Sequence, residues 1–176
     1  MSALVHLVAQ PRVAASRRDF ARRLLAGALA AGALALPFAA RADTPLPAAR
    51  DLRAEARSAA ARGQPLVLMF SLPGCSYCEQ LRRSTYRWLV RDGVPVRQLE
   101  MVADYRLLGF DGRATDGAAL GAHYGVHLAP TVLFLGPDGR EIGERLVGAG
   151  VPDFYGAFVD RSLGQARERL KAGGGR

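Results

Sequence analysis

The hydrophobic pattern of residues 47–171 predicts a chain that alternates between helices and strands. Residues 65–71, PLVLMFS, form a short continuous apolar run, which is typical of a strand buried on both faces. Residues 75–91 follow with a helical pattern that Asp92-Gly93 ends. The other predicted elements are a helix over 47–62, strands over 94–102, 131–136 and 140–148, a glycine-rich loop over 107–117, a short helix over 118–126 and a closing helix over 152–170.

This order of elements predicts an α/β fold with one mixed, four-stranded sheet flanked by helices. The first two strands should be parallel, because a helix joins them as a right-handed crossover. The last two should be antiparallel, because the turn Pro137-Asp138-Gly139 joins them directly. The candidate core residues are Phe70, Leu81, Tyr86, Trp88, Leu89 and Val90, with Phe154, Phe158, Val159 and Leu170 in the closing helix.

The positive charge of the chain is concentrated near its N-terminus. The formal charge is +8, a value that by itself would suggest a nucleic-acid or membrane partner. Residues 1–42 contain six arginines and one aspartate, which leaves 18 basic and 15 acidic residues in 43–176. Those charges are mixed and show no basic run with interleaved aromatic residues, so the pattern argues against nucleic-acid binding.

Residues 1–42 have the pattern of a cleavable export signal. Arg17 and Arg18 precede an apolar run over 24–38, and Ala40-Arg41-Ala42 supplies a small-x-small cleavage pattern. The run is shorter than the ~20 residues that span a bilayer. The SRRDF sequence resembles a bacterial twin-arginine signal, with an ordinary secretory signal as the alternative. We therefore expect cleavage after Ala42, a periplasmic protein, and a single domain over 43–176.

Cys75 and Cys78 are the only cysteines, and their position favours redox chemistry over a structural role. The predicted domain has about 134 residues, enough to bury a core without disulfides. A bridge across two residues also closes too short a loop to stabilise much. The pair lies where a buried strand ends and a helix begins, and free N–H groups there stabilise a thiolate. Cys-x-x-Cys beside a strand–helix–strand unit is a redox signature.

A zinc site is the competing interpretation of the same cysteines. His123 and His127 could complete a set of four ligands of the right kinds. However, 44 residues separate the two pairs, whereas a zinc finger has about 12 to 15. We therefore expect no metal and no cofactor.

The sequence resembles the thioredoxin superfamily, in particular its periplasmic thioredoxin-like members, over about residues 50–171. Three segments carry the resemblance: PLVLMFSLPGCSYC, YGVHLAPTVLFLGPDG, and REIGERLVG with the closing helix. It implies a redox-active disulfide in which Cys75 attacks and Cys78 resolves. It also implies a cis peptide bond at Ala129–Pro130, where the substrate chain would pair, and Tyr77 as a residue that shapes the substrate groove.

The sequence departs from cytosolic thioredoxins around the cysteines. Ser76-Tyr77 replaces Gly-Pro, and Met69 stands where the family often places a buried acid that helps to deprotonate the second cysteine. Glu100 could substitute for that acid, but a solvent-facing strand residue is the simpler interpretation. Arg82 and Arg83 are likewise interpreted as a solvated helix face.

These observations together predict a periplasmic thiol:disulfide oxidoreductase that favours the reductase direction. Its partners would be protein thiol and disulfide substrates and a membrane-embedded thiol electron carrier, and we expect a monomer that binds no nucleic acid. The alternative from another class is a metallochaperone or partner-binding module on the same scaffold.

Overall fold

The computed structural model describes residues 45–173, so the predicted export signal and its cleavage site lie outside the described residues. Within 45–173, no helix is long and apolar enough to cross a membrane. The helices are α1 (Leu52–Ala60), α2 (Ser76–Leu81), α3 (Arg87–Arg91), α4 (Gly117–His123) and α5 (Pro152–Gly173), with a π-helical segment, Arg82–Tyr86, between α2 and α3. The strands are β1 (Leu66–Ser71), β2 (Val96–Glu100), β3 (Arg106–Leu108), β4 (Ala114–Asp116), β5 (Thr131–Leu135) and β6 (Leu146–Val147).

The main sheet has four strands in the order β2-β1-β5-β6. Strand β1 pairs with β2 in parallel and with β5 antiparallel, and β5 pairs antiparallel with β6. This is the mixed sheet that the order of elements predicts. All six residues of β1 are buried, because helices cover both faces of this central strand.

The alternation of side chains along β1 and β5 separates two core layers. The first, which we call the cysteine face, packs Val67, Met69, Val132 and Phe134 against α2, Tyr86 and α5, and it includes Cys78. The second, the α1 face, packs Leu66, Leu68, Phe70, Leu133 and Leu135 against α1 and α4. The cysteine pair therefore belongs to one layer of a three-layer α/β/α domain.

The core-facing side of α5 differs from the predicted one by about one residue. Tyr155, Val159, Leu163 and Ala166 are buried, at the i, i+4, i+8, i+11 spacing of one helix face. Phe154 and Phe158 are 63% and 41% exposed, so their assignment to the core is wrong. Leu170 is half-buried, and only Val159 of the predicted set is fully in the core.

Two regions predicted as a helix start and a loop take part in strand pairing instead. Helix α1 begins at Leu52 because Asp51 caps it, accepting a hydrogen bond from the N–H of Ala54 at 2.9 Å. The preceding residues extend along β2, where Ala48 forms an isolated bridge with Gln98. The predicted loop over 107–117 contains the β3–β4 hairpin, whose three-residue strands are too short to show a period.

The predicted strand over 140–148 is broken. Glu141 forms one isolated bridge with Leu135, and pairing resumes only at β6. Between them the chain passes close to α5 at Gly143, where a Cβ would lie 2.7 Å from the carbonyl oxygen of Ser162. Only glycine permits this approach, and the detour interrupts the ladder.

Candidate functional site

Cys75 and Cys78 are joined by a disulfide at the junction between β1 and α2. The chain turns from the strand into the helix over Leu72, Pro73 and Gly74, and the N–H of Cys75 donates to the carbonyl of Leu72 at 3.3 Å. Gly74 has a φ of +68°, a conformation that glycine adopts without strain. The turn therefore places the first cysteine at the first turn of the helix.

The two sulfurs occupy different environments. Cys75 is the N-cap residue of α2, and its Sγ accepts a hydrogen bond from the N–H of Cys78 at 3.2 Å. Its side chain is half-buried, whereas Cys78 is fully buried on the cysteine face. Backbone N–H groups that point at Cys75 favour a negative charge on that sulfur, while burial disfavours one on Cys78.

A π-helical segment, Arg82–Tyr86, follows α2 and changes which side chains of the helix face the core. Leu81 and Tyr86 are buried, and Leu89 and Val90 pack against the same cluster from partly buried positions. The phenol oxygen of Tyr86 lies 2.8 Å from that of Tyr155 on α5. The two helices that cover the cysteine face are thus linked by a buried hydrogen bond.

Burial raises the pKa of both phenols. The pKa of Tyr86 lies well above its ordinary value because the ring is desolvated and because Tyr155 is next to it. Burial raises the pKa of Tyr155 to about 12, although its hydrogen bond with Tyr86 works in the opposite direction. Both phenols are therefore neutral near pH 7 and do not act as proton acceptors for a thiol.

The Ala129–Pro130 peptide bond is cis and lies at the same end of the sheet as the cysteines. Thr131 pairs with Phe70 near the end of β1, so the proline is placed beside the start of the turn that leads to Cys75. Pro130 is buried, and its carbonyl accepts from the N–H of Gly148 at 2.7 Å. Ala129 and Cys75 pack from half-buried positions against the same core cluster.

Apolar side chains at this end of the sheet are exposed to solvent. Tyr77, between the cysteines, is 62% exposed, and Leu128, next to Ala129, is 53% exposed. Leu72 is the first residue of the turn that leads to Cys75, and Val147 pairs with Thr131; both are exposed as well. Exposed apolar groups around a disulfide provide a surface on which another polypeptide can pack.

A largely buried arginine packs against the sheet after α2, where the sequence predicts a solvated helix face. Arg82 donates from Nε to Oε1 of Gln98 at 2.6 Å and from Nη2 to Oγ of Ser71 at 2.7 Å, and it pairs with Glu79. Its side chain is only 12% exposed, so that interpretation is wrong for Arg82, whereas Arg83 is exposed. The sequence does carry a signal for this contact. Ser71 and Gln98 are polar residues at strand positions whose side chains point to the cysteine face, so they need a polar partner there.

Met69 and Glu100 lie close to this arginine in the sheet. Met69 is fully buried and pairs with Gln98 across β1 and β2. Glu100 is half-buried, pairs with Ser71, and lines a cavity of about 180 Å³ together with Glu79 and Arg82. A role for Glu100 as a proton acceptor stays a prediction.

The two histidines are placed on the surface. His123 ends α4 and contacts the Tyr124 ring edge-on, with the ring centroids 4.8 Å apart. His127 is exposed in the loop before Ala129. Across 45–173, no three or more histidine, cysteine, aspartate or glutamate side chains are grouped so that they could hold a metal ion.

The fold and the position of the cysteine pair are those of the thioredoxin-like domain family. Its model matches residues 52–158, more than half of the chain, so the chain belongs to this family. This confirms the resemblance to thioredoxins and the fold class that the sequence predicts. No curated protein matches the chain significantly.

Solved structures that resemble the chain are thioredoxins and related oxidoreductases. Thioredoxin NaTrxh from Nicotiana alata is 17% identical, with 68% of this chain and 96% of that chain covered and a TM-score of 0.45. The periplasmic thioredoxin SoxS from Paracoccus pantotrophus is 27% identical, with 57% and 96% covered and a TM-score of 0.41. The oxidoreductase DsbH is 16% identical, with 68% of this chain and 87% of that chain covered and a TM-score of 0.46.

Proposed function

We propose that this chain is a periplasmic thiol:disulfide oxidoreductase that exchanges disulfides with protein substrates through Cys75 and Cys78. The observation that carries the proposal is the disulfide at the β1–α2 junction, which has one half-buried and one fully buried sulfur. In the reductase direction, the dithiol gives two electrons and two protons to a substrate disulfide. The products are two substrate thiols and the Cys75–Cys78 disulfide.

Cys75 is the attacking sulfur in this proposal, and Cys78 is the resolving one. The thiolate of Cys75 attacks one substrate sulfur, forms a mixed disulfide, and releases the other substrate sulfur as a thiolate that takes up a proton. Cys78 loses its proton and attacks Cys75, which releases the second substrate sulfur. Support for this order comes from the greater exposure of Cys75 and from its cap position, where it already accepts a backbone N–H.

The substrate chain would bind in an extended conformation beside Ala129 and the cis bond to Pro130. The exposed Tyr77 and Leu128 would contact its apolar side chains. A surface of this kind binds the backbone and the apolar side chains of a substrate and does not require one particular sequence. It therefore suits many unfolded or extended segments that contain a disulfide.

Export to the periplasm through residues 1–42, and reduction by a membrane-embedded thiol carrier, complete the proposal. Export is tested by replacing Arg17 and Arg18 with lysines, which should stop transport by a twin-arginine route. Unchanged export would leave the general secretory route. Intact mass spectrometry of the periplasmic protein should give a mature chain that begins at Asp43.

A redox titration tests the function itself. Wild-type protein equilibrated in glutathione buffers should show one two-electron transition, and both Cys75→Ser and Cys78→Ser should abolish it. The midpoint also decides the direction, because known couples of this kind range from about −270 mV for reductants to about −120 mV for oxidants. Absence of the transition, together with stoichiometric metal in protein purified without added metal, would favour a metallochaperone instead.

A further inference from the structure

We propose that Arg82 is a positioning residue that raises the reduction potential of the Cys75–Cys78 couple by fixing a positive charge beneath the helix that carries both cysteines. The inference rests on the proposed function, because it requires the pair to cycle between disulfide and dithiol.

The guanidinium of Arg82 is held in one place by two neighbouring strands. Ser71 at the end of β1 and Gln98 on β2 accept its Nη2–H and Nε–H at 2.7 and 2.6 Å. Both acceptors are uncharged, and the arginine side chain is 12% exposed. An arginine stays protonated in proteins, so a positive charge is fixed on the cysteine face.

The same guanidinium lies on the inner side of the cysteine helix. Arg82 follows Cys78 by four residues, which places both side chains on one helix face. The backbone N–H of Arg82 donates to the carbonyl of Cys78. Ser71, one of its anchors, precedes Cys75 by four residues. Met69, which packs in one cluster with Cys78, pairs with Gln98, the other anchor.

The surrounding charges compensate Arg82 only in part. Glu79, its ion-pair partner, is 54% exposed and the Arg82 side chain is 12% exposed, so water screens the carboxylate more than it screens the guanidinium. Glu100, Arg83 and Arg87 line the cavity next to the pair and are the other charged groups there. The phenols of Tyr86 and Tyr155 are neutral on the same face.

A fixed positive charge favours the reduced state of the couple. Reduction adds two electrons and two protons to the disulfide, or one proton fewer where one sulfur remains a thiolate. The guanidinium stabilises that thiolate and has no comparable interaction with the neutral disulfide. Removing the charge should therefore make the couple more reducing.

Redox titration of Arg82→Gln in glutathione buffers tests this inference, with the exposed Arg83→Gln as a control that makes the same change in charge. We expect Arg82→Gln to shift the equilibrium constant toward the disulfide by about tenfold, equivalent to about 30 mV for two electrons. Arg83→Gln should change it by less than about twofold. Arg82→Lys should have most of the wild-type value, because lysine keeps the positive charge although it lacks the planar guanidinium.

An unchanged or higher potential for Arg82→Gln, or an equal shift for Arg83→Gln, would contradict the inference. If Arg82→Gln does not fold, Gln98→Leu takes its place, because it removes one anchor and keeps the charge. We expect a smaller shift of the same sign, about threefold, and no shift would overturn the inference. Wild-type protein without a two-electron transition would refute the proposed function, whereas a wild-type transition that Arg82→Gln leaves unmoved would refute only this inference.

Discussion

The two faces of the central sheet are built from different kinds of side chain. The α1 face packs four leucines and Phe70 from β1 and β5 against the leucine and alanines of α1. The cysteine face adds a buried sulfur, two hydrogen-bonded phenols and the guanidinium of Arg82. The buried Ser71 and Ser162 also lie on this side, in β1 and α5. The α1 side also holds an ion pair, Arg97–Glu55, at its edge, but within residues 45–173 only the cysteine face places a cysteine sulfur and hydrogen-bonded phenols inside the core.

The largest expected effect separates the two sulfurs of the cysteine face. Cys78→Ala should accumulate mixed disulfides with substrate proteins that disappear on reduction, because Cys75 can still attack and nothing resolves the product. Cys75→Ala should trap few, and both variants should lose essentially all turnover. Non-reducing gel electrophoresis of periplasmic extracts measures the complexes. If Cys75→Ala proves the better trap, the assigned roles are wrong.

A cavity on the α1 face should affect stability and leave the redox couple unchanged. Leu133 is fully buried there, so Leu133→Ala should lower the free energy of unfolding by about 3 kcal/mol. The midpoint potential should stay at its wild-type value, because Leu133 points away from the cysteines. Urea unfolding of the oxidised protein and a glutathione titration give the two quantities.

Leu128→Ala is the matched control for that leucine substitution. Leu128 is 53% exposed beside Ala129, so its loss should change stability by no more than about 0.5 kcal/mol while it slows substrate turnover. Equal stability losses for the two variants would remove the distinction between the faces.

High pH should weaken the cysteine face through its buried phenols. The pKa values of Tyr86 and Tyr155 are raised in the folded state, so the unfolded chain loses these phenol protons at lower pH. The contribution of the two phenols to the free energy of unfolding is therefore complete below about pH 10, and it is lost as the pH rises toward the folded-state pKa values. From pH 9 to 11 we expect a loss of about 2 to 3 kcal/mol from the pair. Urea unfolding across that range measures it.

Phenylalanine variants assign that pH dependence to the buried pair. The double variant Tyr86→Phe/Tyr155→Phe should remove the contribution of both phenols and so flatten the dependence of the unfolding free energy on pH. Tyr124→Phe should flatten less of it, because it removes one phenol with a raised pKa, about 12, where the double variant removes two. A slope that the double variant leaves unchanged would show that the pair does not carry it.

The sequence predicts the fold and the cysteine pair because their signals are local. The apolar run of β1 and the Cys-x-x-Cys spacing can be recognised within a dozen residues. Arg82 could not be placed the same way, since its environment is made by Ser71 and Gln98 from two strands that only the folded sheet brings together. The face of α5 was misplaced for a similar reason: Phe154 and Tyr155 are both aromatic, and only packing against Tyr86 selects the second.

Trp88 marks where the cysteine face ends. The sequence predicts it in the core, but it is 41% exposed, and the guanidinium groups of Arg87 and Arg91 lie over its ring, 4.4 and 4.8 Å from the centroid. Exposed cation–π contacts contribute about 0.5 to 1 kcal/mol each. Trp88→Ala should therefore cost about 1 to 2 kcal/mol in urea unfolding, whereas a core tryptophan would cost about 3 to 5 kcal/mol. Phe70→Ala, on the fully buried α1 face, is the comparison that should reach the larger value. If Trp88→Ala cost as much as Phe70→Ala, the outer side of this helix would belong to the core after all.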